Sequence, residues 1–238
     1  EVTKNAVINV PQQQRKVSLR DDRMLPQLAI VDPALTDNAP RAVTLGSGLD
    51  ALTQVIEPWL CTRATPFTDA LCREAIPRGI AALKTLMEKE CADSRDELAW
   101  VSLCGGLALA NAGLGVVHGL AGPLGGLSDA SHGALCGCLL PFGLELNESQ
   151  VTNPALRQRF LDVRQWIAAG LGVSPDDAWQ SLREWSQRSG LGNLRDLGVP
   201  REALEPAALA ASSSSSMKAN PVTLESEQLL EMLEAAWE

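Results

Sequence analysis

The chain contains two histidines, and each stands before a glycine. His118 closes Asn111-Ala-Gly-Leu-Gly-Val-Val-His118, and His132 closes Asp129-Ala-Ser-His132. An imidazole in an apolar, glycine-rich run needs partners for its ring nitrogens, and a metal ion or a backbone carbonyl can serve. A second group lies in Gly48-Leu-Asp50-Ala-Leu-Thr-Gln54, where a carboxylate and a carboxamide are four residues apart. On a helix they share one face, one turn apart. Two such oxygens, with imidazoles brought from elsewhere, make a donor set for a divalent cation. By spacing alone, a capping or paired Asp50 and a merely polar Gln54 fit as well. Cys136 and Cys138 sit in the apolar run Ala134 to Leu140 and read as buried, inert thiols rather than ligands.

The elements that must position these groups are mostly helical. Apolar residues recur at three- and four-residue spacing after Pro33. They predict helices near 40–60, 67–87, 95–114, 131–147, 153–171, 175–188, 200–211 and 224–236. Thr68-Asp69, Ser174-Pro175-Asp176-Asp177 and Thr223-Leu224-Glu225-Ser226 read as helix starts. Earlier, Val2 to Ile8 and Leu28 to Asp32 alternate apolar and polar positions and predict two short strands without a sheet to join. Ser212 to Ser216 reads as a flexible connection.

Composition sets the outer limits. The chain has 238 residues, 45% of them apolar, enough for a sizeable core. A net charge of −9 argues against nucleic-acid binding, since a phosphate backbone calls for cations. Val101 to Leu127 lacks Asp, Glu, Lys and Arg over a length that could span a bilayer. Its many glycines and Pro123 favour a buried helix, a break and a turn over a lipid-facing rod, so no membrane association is expected. Six cysteines without a CxxC pair suit a reducing, cytoplasmic location. The opening Glu1-Val2-Thr3-Lys4 has neither a methionine nor an apolar signal region, and suggests a chain that begins inside a longer protein.

Taken in order, the segments Gly48 to Glu57, Pro66 to Leu71, Asn111 to Gly119 and His132-Gly133 with Leu139-Leu140-Pro141 resemble the iron-containing (group III) alcohol dehydrogenase family. The resemblance covers essentially the whole chain. It implies a mainly α fold, the all-helical C-terminal domain of the dehydroquinate synthase-like architecture. Residues 1–35 would be a β remnant of the N-terminal Rossmann-like domain with its linker, and 36–238 the helical metal-binding domain. Glu1 to Ile8 look like the residues following that family's Gly-Thr-Gly-Ser turn, a contributor to cofactor binding.

The resemblance further implies that Asp50, Gln54, His118 and His132 hold a divalent metal, Fe2+ or Zn2+, with NAD(P) bound through the other domain. It departs from the family at Gln54, where many members have histidine, and at Gly122, where members often place a second histidine near the nicotinamide. The implied activity interconverts an alcohol and an aldehyde or ketone in a homo-oligomeric enzyme, with this chain alone inactive. The alternative is a degenerate helical interaction module without metal.

Overall fold

The computed structural model describes residues 2–10 and 15–238, so Glu1 lies outside the described residues. A two-stranded antiparallel hairpin, β1 (Asn5–Val10) and β2 (Arg15–Arg20), precedes nine α-helices among the described residues. The helices are α1 (Arg41–Leu60), α2 (Pro66–Glu88), α3 (Ala92–Asn111), α4 (Val116–Leu127), α5 (His132–Ser149), α6 (Pro154–Leu171), α7 (Ala178–Arg188), α8 (Leu204–Ser212) and α9 (Ser226–Trp237). The mainly helical architecture matches the expectation.

Local chemistry explains several boundaries. At the start of α2, Thr65 and Thr68 form a reciprocal capping box around Pro66, so the helix begins three residues earlier than Thr68-Asp69 suggests. Asn153 accepts from the N–H groups of Ala155 and Leu156 to start α6, and Gly172, at φ 77°, ends it in the left-handed region. Glu225 and Gln228 cap α9 reciprocally.

Helix α1 is the centre of the molecule. It packs against α2, α3 and α5, and Leu49, Val55, Ile56 and Trp59 are fully enclosed. At its C-terminal end Arg159 of α6 donates to the Trp59 carbonyl at 2.7 Å, pairs with Asp69 of α2 at 2.5 Å, and lies over the Trp59 ring. Because α1 is buried on most sides, any charge along it must find a partner inside the protein.

Three expectations need correcting. Residues 28–32 form no strand; Leu28 and Ile30 are 76% and 78% exposed, with no neighbouring strand to take their backbone groups. The real second strand is Arg15–Arg20, which follows closely enough to pair with β1. The run Val101 to Leu127 holds two helices instead of a helix and a turn: α3 ends at Asn111, and α4 leaves it at an angle of 98°. Among the described residues, no single helix is long and apolar enough to cross a membrane. The serine run is also wired into the fold. Ser215 accepts from Arg20 at 2.8 Å, and Ser214 accepts from the Met217 N–H at 3.3 Å.

Candidate metal centre

Helices α1, α4 and α5 meet at the floor of a cavity of about 1300 Å³. Gln54, His118, Gly122 and His132 line it, together with Arg20 and Ser215. Asp50, Gln54 and Glu57 follow one another at spacings of four and three along α1, which places them on one stripe. His118 occupies the first turn of α4, and His132 is the first residue of α5.

The start of α4 is built around Glu57. One of its oxygens accepts from the Val117 N–H at 2.7 Å, and the other lies 2.7 Å from His118 Nδ1. Asn220 Oδ1 accepts from the Val116 N–H at 3.0 Å, and Asn220 is itself held by Asn147 at 2.7 Å. A negative group at a helix N-terminus also complements the helix dipole. Gly115 makes this packing possible, since a Cβ there would stand 2.8 Å from Asn220 Oδ1 and 3.0 Å from Glu57 Oε1. The glycines around His118 therefore let a helix start close against buried side chains, and a helix-unfriendly composition becomes α4.

With Nδ1 engaged by the Glu57 carboxylate, His118 presents Nε2 to the cavity. Asp50 Oδ1 lies 3.2 Å from that nitrogen, yet it is buried without an aligned hydrogen bond. His132 comes from α5, its ring centroid 5.4 Å from that of His118. One ligand atom each from Asp50, His118, His132 and Cys136 lies within 4.8 Å of the other three. Two carboxylates around one buried imidazole require a positive charge among them, and these donors are of the kinds that bind a divalent cation. The residues present fit such an ion.

The electrostatics agree. Burial works against ionisation of Asp50, but His118, His132 and the Gln54 amide outweigh it and hold its pKa below the usual carboxylate range. Burial also opposes a charged His118. Cys136, Asp50 and Glu57 more than compensate, and its pKa stands well above the ordinary histidine value. Burial pushes the Cys136 thiol up to about 11.

The four residues singled out from the sequence, Asp50, Gln54, His118 and His132, thus share one cavity region. Glu57 and Cys136 are additions. Each was legible as a helical offset, Glu57 seven residues beyond Asp50 and Cys136 four beyond His132. Cys138, by contrast, lies against the Ala236 carbonyl at 3.8 Å and is buried elsewhere. At Gly122 a Cβ would meet nothing within 4 Å, so a side chain at this position has open cavity before it.

Comparison with known proteins gives this arrangement its context. Residues 44–237 match the family described as Fe-containing alcohol dehydrogenase family, C-terminal. The chain is 31% identical over 243 residues to lactaldehyde reductase of Escherichia coli K12, an alignment covering 100% of this chain and 62% of that protein. It is 30% identical over 247 residues to alcohol dehydrogenase 4 of Saccharomyces cerevisiae, with the same coverages of 100% and 62%. The chain therefore spans 62% of the length of these two curated relatives. A crystal structure of 1,3-propanediol oxidoreductase superimposes with a TM-score of 0.85 at 29% identity, over 98% of this chain and 62% of that one. An alcohol dehydrogenase from Oenococcus oeni gives 0.86 at 27% identity, over 99% and 62%. Sequence match and backbone likeness agree over nearly every element from the hairpin to α9, and the chain belongs to the Fe-containing alcohol dehydrogenase family, whose C-terminal helical region it carries.

Proposed function

We propose that this chain is the metal-binding part of a metal-dependent, NAD(P)-linked alcohol dehydrogenase that interconverts a small alcohol with an aldehyde or ketone. The observation that carries the reading is the convergence of Asp50, His118 and His132 from three helices, with His118 oriented through its second nitrogen by Glu57. In this reading Asp50, His118 and His132 hold Fe2+ or Zn2+, and Gln54, one turn from Asp50, stands beside them as a weaker amide donor. A divalent ion at this position supplies Lewis-acid polarisation of an alcohol or carbonyl oxygen. The chain's own residues contribute the rest. Glu57 keeps the Nε2 lone pair of His118 directed into the cavity, and Asp50 balances charge.

The nicotinamide cofactor is assigned to the part of the longer relatives that this chain does not match, which leaves the chain alone inactive. Residues 1–35 are proposed as the join to that part and 36–238 as the helical domain. The exposed Leu28, Ile30 and Leu35, at 76%, 78% and 85%, favour this division because they offer apolar surface to a neighbouring body. Homo-oligomeric assembly and a cytoplasmic location complete the reading.

Metal analysis of the purified chain tests it. About one iron or zinc per chain is expected, and Asp50→Ala or His118→Ala should abolish binding. A chain that stays metal-free after incubation with both ions at several pH values would instead be a helical interaction module on the same fold.

A further inference from the structure

From the geometry around His118 and His132 we infer that Cys136 is the fourth protein ligand of the metal, binding through its thiolate. The inference rests on the metal-centre reading above and goes beyond it, because the sequence assigned Cys136 to the inert core. Cys136 Sγ lies 3.9 Å from His118 Nε2 and 3.7 Å from His132 Nε2. Two donors bound tetrahedrally to one ion, at metal–nitrogen and metal–sulfur lengths near 2.1 and 2.3 Å, stand about 3.6 Å apart. For a nitrogen and an oxygen the corresponding separation is about 3.4 Å, and Asp50 Oδ1 lies 3.2 Å from His118 Nε2. These three edges each lie within a few tenths of an ångström of such a site.

Weak thiol hydrogen bonds, one donated and one accepted, are the alternative for a sulfur that two ring nitrogens approach. One cation between them engages both imidazoles, the sulfur and Asp50 Oδ1, a buried oxygen without an aligned hydrogen bond, together. Position on α5 produces the arrangement: Cys136 follows His132 by four residues, so sulfur and imidazole project from one face of consecutive turns. On ligation the S–H proton is released to solvent and the thiolate binds the ion. Sulfur precedes the Gln54 amide as the fourth donor because it is anionic when bound, while the amide is neutral and adjacent to Asp50. A set of one carboxylate, two imidazoles and one thiolate is softer than one made of oxygen and nitrogen alone, and favours zinc.

Cobalt(II) titration of the full 238-residue chain under anaerobic conditions tests the assignment. Bound cobalt reports its geometry through visible d–d absorption, and a bound thiolate adds an intense near-ultraviolet sulfur-to-metal charge-transfer band. The wild-type chain should show both, with a stoichiometry of one. Cys136→Ser and Cys136→Ala should lose the charge-transfer band, and their zinc affinity should fall by more than the roughly 10–100-fold that loss of an outer-shell partner costs. Tetrahedral cobalt that disappears in His118→Ala but never shows the charge-transfer band in wild type would overturn the cysteine assignment and leave the metal centre standing. No cobalt or zinc binding at all would overturn both. The wild-type spectrum decides the matter even if a cysteine variant folds poorly.

Discussion

Glu57 satisfies two donors at once, the Val117 N–H and His118 Nδ1, and so couples the start of a helix to the direction of a candidate ligand. Replacement by glutamine keeps an oxygen for one donor but removes the charge that favours a metal-bound imidazole. Glu57→Gln should weaken zinc binding by about 10–100-fold while leaving the helical content intact. A competition titration against a chromophoric chelator, alongside circular dichroism, measures both. An affinity equal to wild type would reduce Glu57 to a capping residue. At the neighbouring position Gln54→His exchanges a neutral amide for imidazole on the face that carries Asp50, and should tighten zinc binding in the same titration. Unchanged affinity would mean that the side chain at 54 does not reach the ion.

At the scale of elements, the site depends on how closely α5 approaches α1. A Cβ at Gly133 would stand 2.5 Å from the Gly46 carbonyl oxygen and 3.1 Å from the Ser47 nitrogen, and neither backbone can give way without moving its helix. Gly133→Ala should therefore cost about 1–3 kcal/mol in urea unfolding. It should also impair metal binding, because His132 precedes it on the displaced turn. Unchanged stability would show that the two helices have more slack than these separations allow.

A second junction joins the end of α5 to α6 and α7. Glu148 accepts from Arg164 at 2.6 Å and from Trp179 Nε1 at 2.7 Å, while Arg164 also donates to the carbonyls of Pro175 and Asp176, both at 2.9 Å. Burial opposes ionisation of Glu148, but these partners outweigh it and hold its pKa below the usual carboxylate range. An ionised Glu148 thus stabilises the fold above its unfolded pKa of about 4.3, and that contribution is lost as pH falls through the folded value. Glu148→Gln should lower stability by about 1–3 kcal/mol at pH 7, and the gap to wild type should narrow in acid. Melting temperatures of both proteins between pH 7 and pH 3 check this, and a gap independent of pH would contradict it.

Across the whole molecule, order is unevenly distributed. From Asp22 to Val43 nearly every residue is exposed or only partly covered, whereas α1 and its neighbours enclose the core. Limited proteolysis should therefore cut first between about residues 21 and 40, and mass spectrometry of the early fragments identifies the sites. First cuts within α1 to α6 would count against a boundary near residue 35.

Much of this protein was already determined by its sequence. Apolar spacing predicts eight of the nine helices among the described residues, and the Thr65, Asn153 and Glu225 starts follow from short-range hydrogen bonds. The stripe of Asp50, Gln54 and Glu57 follows from helix periodicity, and the resemblance to the family singles out Asp50, Gln54, His118 and His132. Other features depended on contacts that spacing does not encode. Residues 28–32 alternate like a strand but have no partner strand, and alternation without a ladder leaves backbone groups to water. The glycine-rich run after Asn111 turned into α4 because Glu57 and Asn220, distant in sequence, take up its first N–H groups. Cys136 reads as a core residue in one dimension because every neighbour in sequence is apolar. Its approach to His132 follows from their spacing on α5, but only the packing of α4 against α5 brings the His118 imidazole within 4 Å of the same sulfur, and with it the choice between an inert thiol and a ligand.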